Sequence, residues 1–187
     1  MNSYQITEWC HHFIRNHVQN GDICVDATCG NGNDTQLLCE LVGDEGQVFA
    51  FDIQEQAVEA TKKRLEEDRL SERVRILLDS HVHMREYVQD DSVSCIVFNF
   101  GYLPGGDHSI ATQKESSIQA IHEGLHLLKK GGIMSLCIYS GGDTGFEEKD
   151  AILEELKQLD GKKYLVIVSS YHNRRNNPPL PVLIVKL

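Results

Sequence analysis

The segment between residues 23 and 41 constrains the fold more than any other part of the chain. Residues 23–25 form an apolar run typical of a buried strand, and residues 35–41 have a pattern typical of a helix. Between them lies a glycine turn with the sequence DATCGNGND at positions 26–34. A strand that turns on glycines into a helix collects free backbone N–H groups and the positive end of a helix dipole in one place. This arrangement predicts a site for the polar part of a nucleotide-like cofactor.

Acidic residues around the turn indicate which cofactor binds. A second apolar run at 47–51 is followed by Asp52, whose carboxylate can accept hydrogen bonds from both hydroxyls of a ribose. A dinucleotide site would need a third glycine near position 33 or 34, and none is there. Asp26 opposes a pyrophosphate and suits the cationic amino acid end of S-adenosylmethionine; an ordinary strand-turn-helix is the alternative. The residues predicted to bind S-adenosylmethionine are Asp26, Thr28, Gly30, Asn31, Gly32, Asn33, Asp34, Thr35, Asp52, Ile53, Gln54, Asp79, Ser80, His81 and Asn99.

The whole pattern predicts one α/β domain spanning residues 1–187, with a Rossmann-like fold. Its mostly parallel seven-stranded sheet has an antiparallel C-terminal edge and helices on both faces. The strands are predicted at residues 22–26, 47–51, 74–78, 94–98, 133–138, 164–168 and 182–185. The helices are predicted at residues 6–18, 35–41, 54–70, 112–128 and 146–159. The first four strands end at Asp26, Asp52, Asp79 and Asn99, and ligands of such sheets bind at strand ends. We expect Asp79 and Ser80 to meet the adenine edge.

Bulk composition limits the cell compartments and the classes of partner that we expect. No apolar run reaches membrane-spanning length, and we expect no signal peptide and no membrane partner. Six cysteines without a C-x-x-C pair predict reduced thiols and a cytoplasmic location. A net charge of −10 opposes nucleic-acid binding by the molecule as a whole. Arg174 and Arg175, among asparagines, form a candidate local basic patch, and a solvated loop is the alternative.

The loop after the fourth predicted strand indicates chemistry on an amine. Its sequence from position 99, NFGYLPGGDH, resembles the Asn/Asp-Pro-Pro-Tyr loop of amine-directed methyltransferases, with Asn99 and Tyr102 matching. The Asn side-chain carbonyl can accept an N–H and aim the lone pair of an amine, while the aromatic ring packs on a planar target. Asp107 or His108 could accept the released proton. A polar strand end followed by a glycine-rich turn is the alternative.

Two histidine pairs invite a metal interpretation, which we reject. His122 and His126 match the H-E-x-x-H motif of zinc proteases. The motif contains a glycine, lies on a crossover helix that the sheet needs, and has no obvious third ligand after it. We therefore expect partly exposed helix histidines and no metal. His81 and His83 are likewise predicted to lie on a loop surface rather than to bind metal.

Four segments together resemble the YtqB/MnmM family, over nearly the whole chain. They are DATCGNGNDT at 26–35, FNFGYLP at 98–104, YSGG at 139–142 and NRRNNPP at 173–179. The resemblance implies a Rossmann-type S-adenosylmethionine fold. It also implies methylation of 5-aminomethyl-2-thiouridine at the tRNA wobble position, giving 5-methylaminomethyl-2-thiouridine. The departures are small: Ser140 stands where a second Tyr is expected, and Phe100 where Leu is usual.

The expected partner is therefore a tRNA anticodon loop, which needs few phosphate contacts and can stack on aromatic rings such as Tyr171. An rRNA methyltransferase, a methyltransferase of a small-molecule or protein amine, and a non-catalytic cofactor-binding protein remain alternatives. A homodimer is plausible because the sheet has an uncapped edge. The residues predicted to contact substrate are Tyr102, His108, Tyr139, Gly141, Asn173, Arg174, Arg175 and Asn176, and the predicted catalytic residues are Asn99, Tyr102 and Asp107.

Overall fold

A seven-stranded sheet with helices on both faces organises the protein. The structure is a computed structural model that describes residues 5–101, 113–139, 145–175 and 177–187. The strands are β1 (Ile23–Asp26), β2 (Gln47–Asp52), β3 (Val74–Leu78), β4 (Val93–Phe100), β5 (Leu128–Ile138), β6 (Tyr164–Val168) and β7 (Leu180–Lys186). The α-helices are α1 (Ile6–His17), α2 (Asn33–Val42), α3 (Glu55–Glu67), α4 (Lys114–Leu127) and α5 (Gly145–Lys157). Short 3-10 turns cover Ser71–Arg73 and His81–Glu86.

The strand order is β3-β2-β1-β4-β5-β7-β6. The first five strands in this order pair in parallel, and β7 runs antiparallel to both β5 and β6. The predicted fold class is therefore confirmed. The order reverses between β1 and β4, so the carboxyl ends of these two strands flank the switch point at which ligands bind in open parallel sheets.

Two predicted boundaries are wrong for physical reasons. The helix predicted to reach residue 70 ends at Glu67, because Arg69 takes a left-handed conformation with φ 59°. The Leu70 N–H then donates to the Leu65 carbonyl, closing the helix in a Schellman motif. Residues 129–132, which separate the helix predicted to end at 128 from the strand predicted to begin at 133, lie within β5, where the register with β4 shifts after Val93 pairs with Leu128.

The core has two parts, one on each face of the sheet. One part packs α4 and α5 over residues such as Phe51, Phe98 and Phe100, and the other packs α1, α2 and α3 over residues such as Val48 and Val97. β4 contributes to both parts, and seven of its eight residues are buried, as expected for the centre of a parallel sheet. Asn99 is the eighth, so the packing of β4 delivers one accessible polar side chain to the carboxyl edge.

The six cysteines all lie within the described residues. All six cysteines are buried free thiols. In the described ranges, no helix has the length and apolar character that a bilayer crossing requires.

Candidate active site

The glycine turn between β1 and α2 adopts a conformation that needs its glycines. Gly30 has φ 52° and Gly32 has φ 78°, a region that side chains with a Cβ rarely enter. A Cβ on Gly32 would also stand 3.0 Å from both the Cα and the Oγ1 of Thr61. Gly32 caps α2 without any side-chain hydrogen bond, so the first N–H groups of α2 face the carboxyl edge uncapped by a side chain. The turn therefore offers backbone donors to a polar ligand.

Asp52 lies beside this turn in an arrangement that fits an adenosine. Its carboxylate accepts from the backbone N–H of Gly30 at 3.0 Å and of Gln54 at 3.0 Å, which fixes its orientation. Ile53, the next residue, is 60% exposed, and Leu78, the register partner of Asp52 on β3, is 51% exposed. Two exposed aliphatic side chains beside a fixed carboxylate provide an apolar surface for a base and acceptors for a ribose.

Asp26 holds the turn from inside the protein. It is completely buried, and its carboxylate accepts from the Thr35 hydroxyl at 2.6 Å and from the Thr28 backbone N–H at 3.2 Å. Burial, followed by the nearby charge of Asp34, raises the pKa of Asp26 to about 7. Direct contact between Asp26 and a cationic ligand stays a prediction. The exposed Asn31 and Asn33 flank Gly32 in the turn.

Asp79 and Ser80 follow β3 as predicted, but the carboxylate of Asp79 is already engaged. It accepts from the Ser80 N–H, from His83 and from the Tyr87 hydroxyl, each at 2.7 Å. These bonds, that of His83 first, lower the pKa of Asp79 to about 2. An adenine amine would have to share these oxygens, so this contact remains a prediction.

The two loop histidines differ. His83 is exposed, as predicted, whereas His81 is only partly exposed. The His81 ring packs edge-on against Phe98 and Phe100, its Nδ1 lies 3.3 Å from the Ala27 carbonyl oxygen, and burial lowers its pKa.

Asn99 bonds to two residues of the segment that runs from the glycine turn into α2. Its backbone N–H donates to the Thr28 hydroxyl at 2.7 Å, and its Nδ2 donates to Asp34 Oδ2 at 2.7 Å. The other oxygen of Asp34 contacts Nε2 of His11, on α1. Sequence reasoning missed His11, because a histidine on an amphipathic helix gives no signal of a partner 23 residues away. The side chains of Asp34 and His11 are largely buried.

Some of the residues predicted to contact substrate lie within the described residues, and others do not. Tyr102, Asp107, His108, Gly141 and Asn176 lie outside the described residues. Tyr139 follows β5, its N–H donates to the Phe100 carbonyl at 3.0 Å, and its side chain packs near Gly101. Burial raises the pKa of Tyr139. Asn173, Arg174 and Arg175 are exposed in the segment between β6 and β7.

His122 and His126, the two histidines of the zinc-like motif, lie on α4. His122 Nε2 contacts Glu155 on α5 at 2.8 Å, and His126 is exposed, which agrees with partly exposed helix histidines. Among the described residues, no group of three or more His, Cys, Asp or Glu side chains could hold a metal ion.

Comparison with known proteins identifies the family. The family described as "Putative rRNA methylase" matches residues 48–185. The chain belongs to this family. A "putative rRNA-methylase" of Clostridium thermocellum is 46% identical over the whole of both chains, with a TM-score of 0.97. A "putative methyltransferase" of Streptococcus mutans, solved in complex with SAH, is 35% identical over 99% of both chains, with a TM-score of 0.89. The resemblance stated from the sequence is thus confirmed.

A curated relative carries a more specific name. The "tRNA (mnm(5)s(2)U34)-methyltransferase, chloroplastic" of Arabidopsis thaliana is 37% identical over 155 residues, which are 78% of this chain and 57% of that protein. A ubiquinone/menaquinone C-methyltransferase of Legionella pneumophila is 27% identical and is matched over 45% of its length. This chain therefore spans about half the length of the curated relatives that it matches.

The residues present fit S-adenosylmethionine, the cofactor of this fold and family. The first N–H groups of α2, after Gly32, offer backbone donors, Asp52 offers fixed acceptors, and Ile53 and Leu78 offer an apolar surface. The carboxylate of Asp34 lies next to the amide of Asn99, and a carboxylate attracts a cationic group.

Proposed function

We propose that the protein is a cytoplasmic S-adenosylmethionine-dependent tRNA methyltransferase. It methylates the aminomethyl nitrogen of 5-aminomethyl-2-thiouridine at the wobble position to give 5-methylaminomethyl-2-thiouridine. The name of the Arabidopsis relative and the arrangement around Asn99 support this substrate. The observation that carries the proposal is the side-chain amide of Asn99, which bonds to Asp34, while the backbone N–H of Asn99 bonds to Thr28 in the glycine turn.

The chemistry requires a neutral amine in line with a methyl donor. The bound cofactor supplies a methyl group on a sulfonium. An alkyl ammonium loses its proton near pH 10.4 in water, taking lysine as the reference, and has no lone pair before it does so. Desolvation in the site and repulsion from a cationic cofactor both favour the neutral amine. The carbonyl of Asn99 accepts an N–H of that amine and aims its lone pair, so positioning dominates the rate.

Docking of RNA to an acidic chain requires a local contact surface. Arg174 and Arg175 are exposed next to Asn173, and Tyr139 lies beside the carboxyl end of β4. A few phosphate contacts combined with stacking of an unpaired base suffice for a compact anticodon loop. The net charge of −10 then disfavours RNA elsewhere on the surface.

Transfer of a labelled methyl group to three acceptors tests the function. The acceptors are tRNA carrying 5-aminomethyl-2-thiouridine, rRNA, and a metabolite extract, each with the purified protein and labelled S-adenosylmethionine. We expect label only in the tRNA, in a nucleoside with the mass of 5-methylaminomethyl-2-thiouridine. Label in rRNA or in a small molecule would replace the proposed substrate, and label in none would favour a cofactor-binding protein.

We also propose a homodimer that pairs the β6 edges of two copies. Within the described residues β6 pairs with β7 alone, and it exposes Leu165, Ile167 and Val168. An unpaired apolar edge strand is a template for another strand, and a second copy of β6 offers the same pattern. Sedimentation should give the dimer mass for the wild type and the monomer mass for Ile167→Glu. Equal masses for both would exclude this interface.

The buried free thiols support the cytoplasmic location.

A further inference from the structure

Three side chains from three separate elements form a continuous chain beside the glycine turn. His11 comes from α1, Asp34 from the first turn of α2, and Asn99 from the end of β4. Asp34 contacts both of the others, using one carboxylate oxygen for each. Of these, α1 precedes the first strand and is not needed to connect any two strands of the sheet.

The chain of contacts determines which side of the Asn99 amide faces the substrate. A carboxylate accepts hydrogen bonds and does not donate them, so the side of the amide that meets Asp34 must be the nitrogen. The carbonyl oxygen then lies on the other side of the planar amide. An amine presents N–H donors, and it needs this oxygen. An amide turned by 180° would place its own N–H groups against the N–H groups of the amine. It could then not aim the lone pair of the amine.

We propose that His11 and Asp34 are positioning residues, which hold the Asn99 amide with its carbonyl oxygen toward the amine. This inference rests on the proposed function. It assigns to the site a preference for nucleophiles that carry N–H donors over nucleophiles that only accept hydrogen bonds.

His11 is needed because Asp34 alone is a short side chain that can rotate about its own bonds. The contact with His11 fixes the second oxygen, which leaves the first oxygen facing Asn99. Burial lowers the pKa of His11, whereas the contact with Asp34 raises it, and the net shift is upward. The imidazole is thereby favoured as a donor to the carboxylate.

Four full-length variants separate positioning from a structural role. They are His11→Ala, His11→Gln, Asn99→Ala and the double variant His11→Ala/Asn99→Ala, each assayed with tRNA that carries 5-aminomethyl-2-thiouridine. His11→Ala should lower kcat by about tenfold and leave KM and cofactor affinity within about twofold, as for a misplaced reacting group. His11→Gln should restore most of the rate, because its amide N–H reaches as far as Nε2. The exposed neighbour His12, changed to Ala, is the matched control.

Adding His11→Ala to Asn99→Ala should cause no further loss, because residues that act through one group are not additive. Equal losses in the Ala and Gln variants, or an additive loss in the double variant, would overturn the positioning role. So would wild-type kcat in His11→Ala. Wild-type kcat in Asn99→Ala would instead contradict the role of Asn99 in the proposed function.

A spectroscopic measurement decides the same question without turnover. In protein labelled with 15N, the Asn99 side-chain N–H signals should move in His11→Ala and stay unchanged in His12→Ala. Unchanged signals in both variants would overturn the inference. If the wild type transfers no methyl group to this tRNA, the proposed substrate is wrong, and these signals still show whether His11 fixes the amide.

Discussion

On β1, β2 and β3, each polar side chain at a strand end accepts from a backbone N–H one or two residues away, and Asp52 adds a contact with Gly30, 22 residues away. Asp26 accepts from the N–H of Thr28, Asp52 from that of Gln54, and Asp79 from that of Ser80. On β4, the contacts of Asn99 come from residues 65 and 71 positions away. The contacts named for the first region span at most 22 residues, whereas those of Asn99 exist only after distant segments have packed on the sheet.

This difference leads us to expect two separable classes of variant. Changes at the ends of β1 to β3 should weaken binding of the cofactor, because these residues are predicted to shape its site. Changes at Asn99 and its supports should slow methyl transfer while the cofactor still binds.

The largest effect is expected for Asn99→Ala. Without its amide, the site cannot aim the amine, and kcat should fall at least about a hundredfold, the scale of a lost positioning contact. Affinity for S-adenosylmethionine should stay nearly intact, because the backbone N–H of residue 99 still bonds to Thr28. Steady-state kinetics and calorimetry measure the two quantities, with the exposed Asn16→Ala as control. Wild-type turnover on the aminomethyl-uridine tRNA would show that the loop is structural.

Asp52→Ala should have the opposite signature. Loss of the fixed acceptor beside the glycine turn should weaken cofactor binding by about 1.5–3 kcal/mol, the value of hydrogen bonds to a charged group. At saturating cofactor, kcat should change little. Calorimetry with S-adenosylmethionine measures the affinity, and Glu59→Ala removes one exposed carboxylate of α3 as a control. Unchanged affinity in Asp52→Ala would contradict the assignment of the ribose site.

Sequence reasoning succeeded where structure is local and failed where it is not. The glycine turn and Asp52 were predictable because strand, turn and acceptor follow one another within 27 residues at 26–52. The position of Asn99 at the carboxyl end of a buried strand was predictable, whereas its role stays a prediction. The contact of His11 with Asp34 was not, because it depends on how α1 packs against the sheet, and periodicity shows only which face of a helix is buried.

The end of α3 and the start of β5 illustrate the same limit on a smaller scale. An arginine at φ 59° closes α3, although arginine has no preference for that conformation, so the sequence favoured a longer helix. At β5, a lysine-glycine segment that predicts a turn sits inside a strand pairing whose register shifts. The end of α3 thus depends on a local Schellman motif that the residue type does not favour, and the start of β5 depends on a strand pairing that overrides local preference.

Reversal of charge at Arg174 and Arg175 should affect RNA binding more than either chemistry or cofactor affinity. If both guanidinium groups meet phosphates, changing both to Glu should raise KM for tRNA several-fold and leave kcat nearly unchanged. The slope of log affinity against log salt should also flatten by roughly 1.4, for two contacts to single-stranded nucleic acid. Lys62→Glu/Lys63→Glu makes the same charge change on the exposed face of α3. An unchanged salt slope would show that the arginines belong to a solvated loop.

The smallest effect concerns the buried carboxylate under the turn, and it is read from stability rather than activity. Burial and the charge of Asp34 raise the pKa of Asp26 to about 7 in the folded protein, whereas an unfolded aspartate titrates near 3.9. Between these two values the folded state holds a proton that the unfolded state has released. The stability that Asp26 contributes is therefore present below about pH 4 and is lost as the pH rises to about 7.

Asp26→Asn removes this titration and keeps the size of the side chain. The Tm of the variant minus that of the wild type should thus be higher at pH 8 than at pH 5, by at least about 2 °C, or roughly 1 kcal/mol for a chain of this length. Asp68→Asn, at an exposed position after α3, should show no such dependence. If the Tm difference for Asp26→Asn does not vary with pH, the carboxylate is ionised in the folded protein at both values. The turn would then carry a buried charge, which a cationic cofactor would have to neutralise, and binding of S-adenosylmethionine should weaken in Asp26→Asn more than in Asp52→Ala.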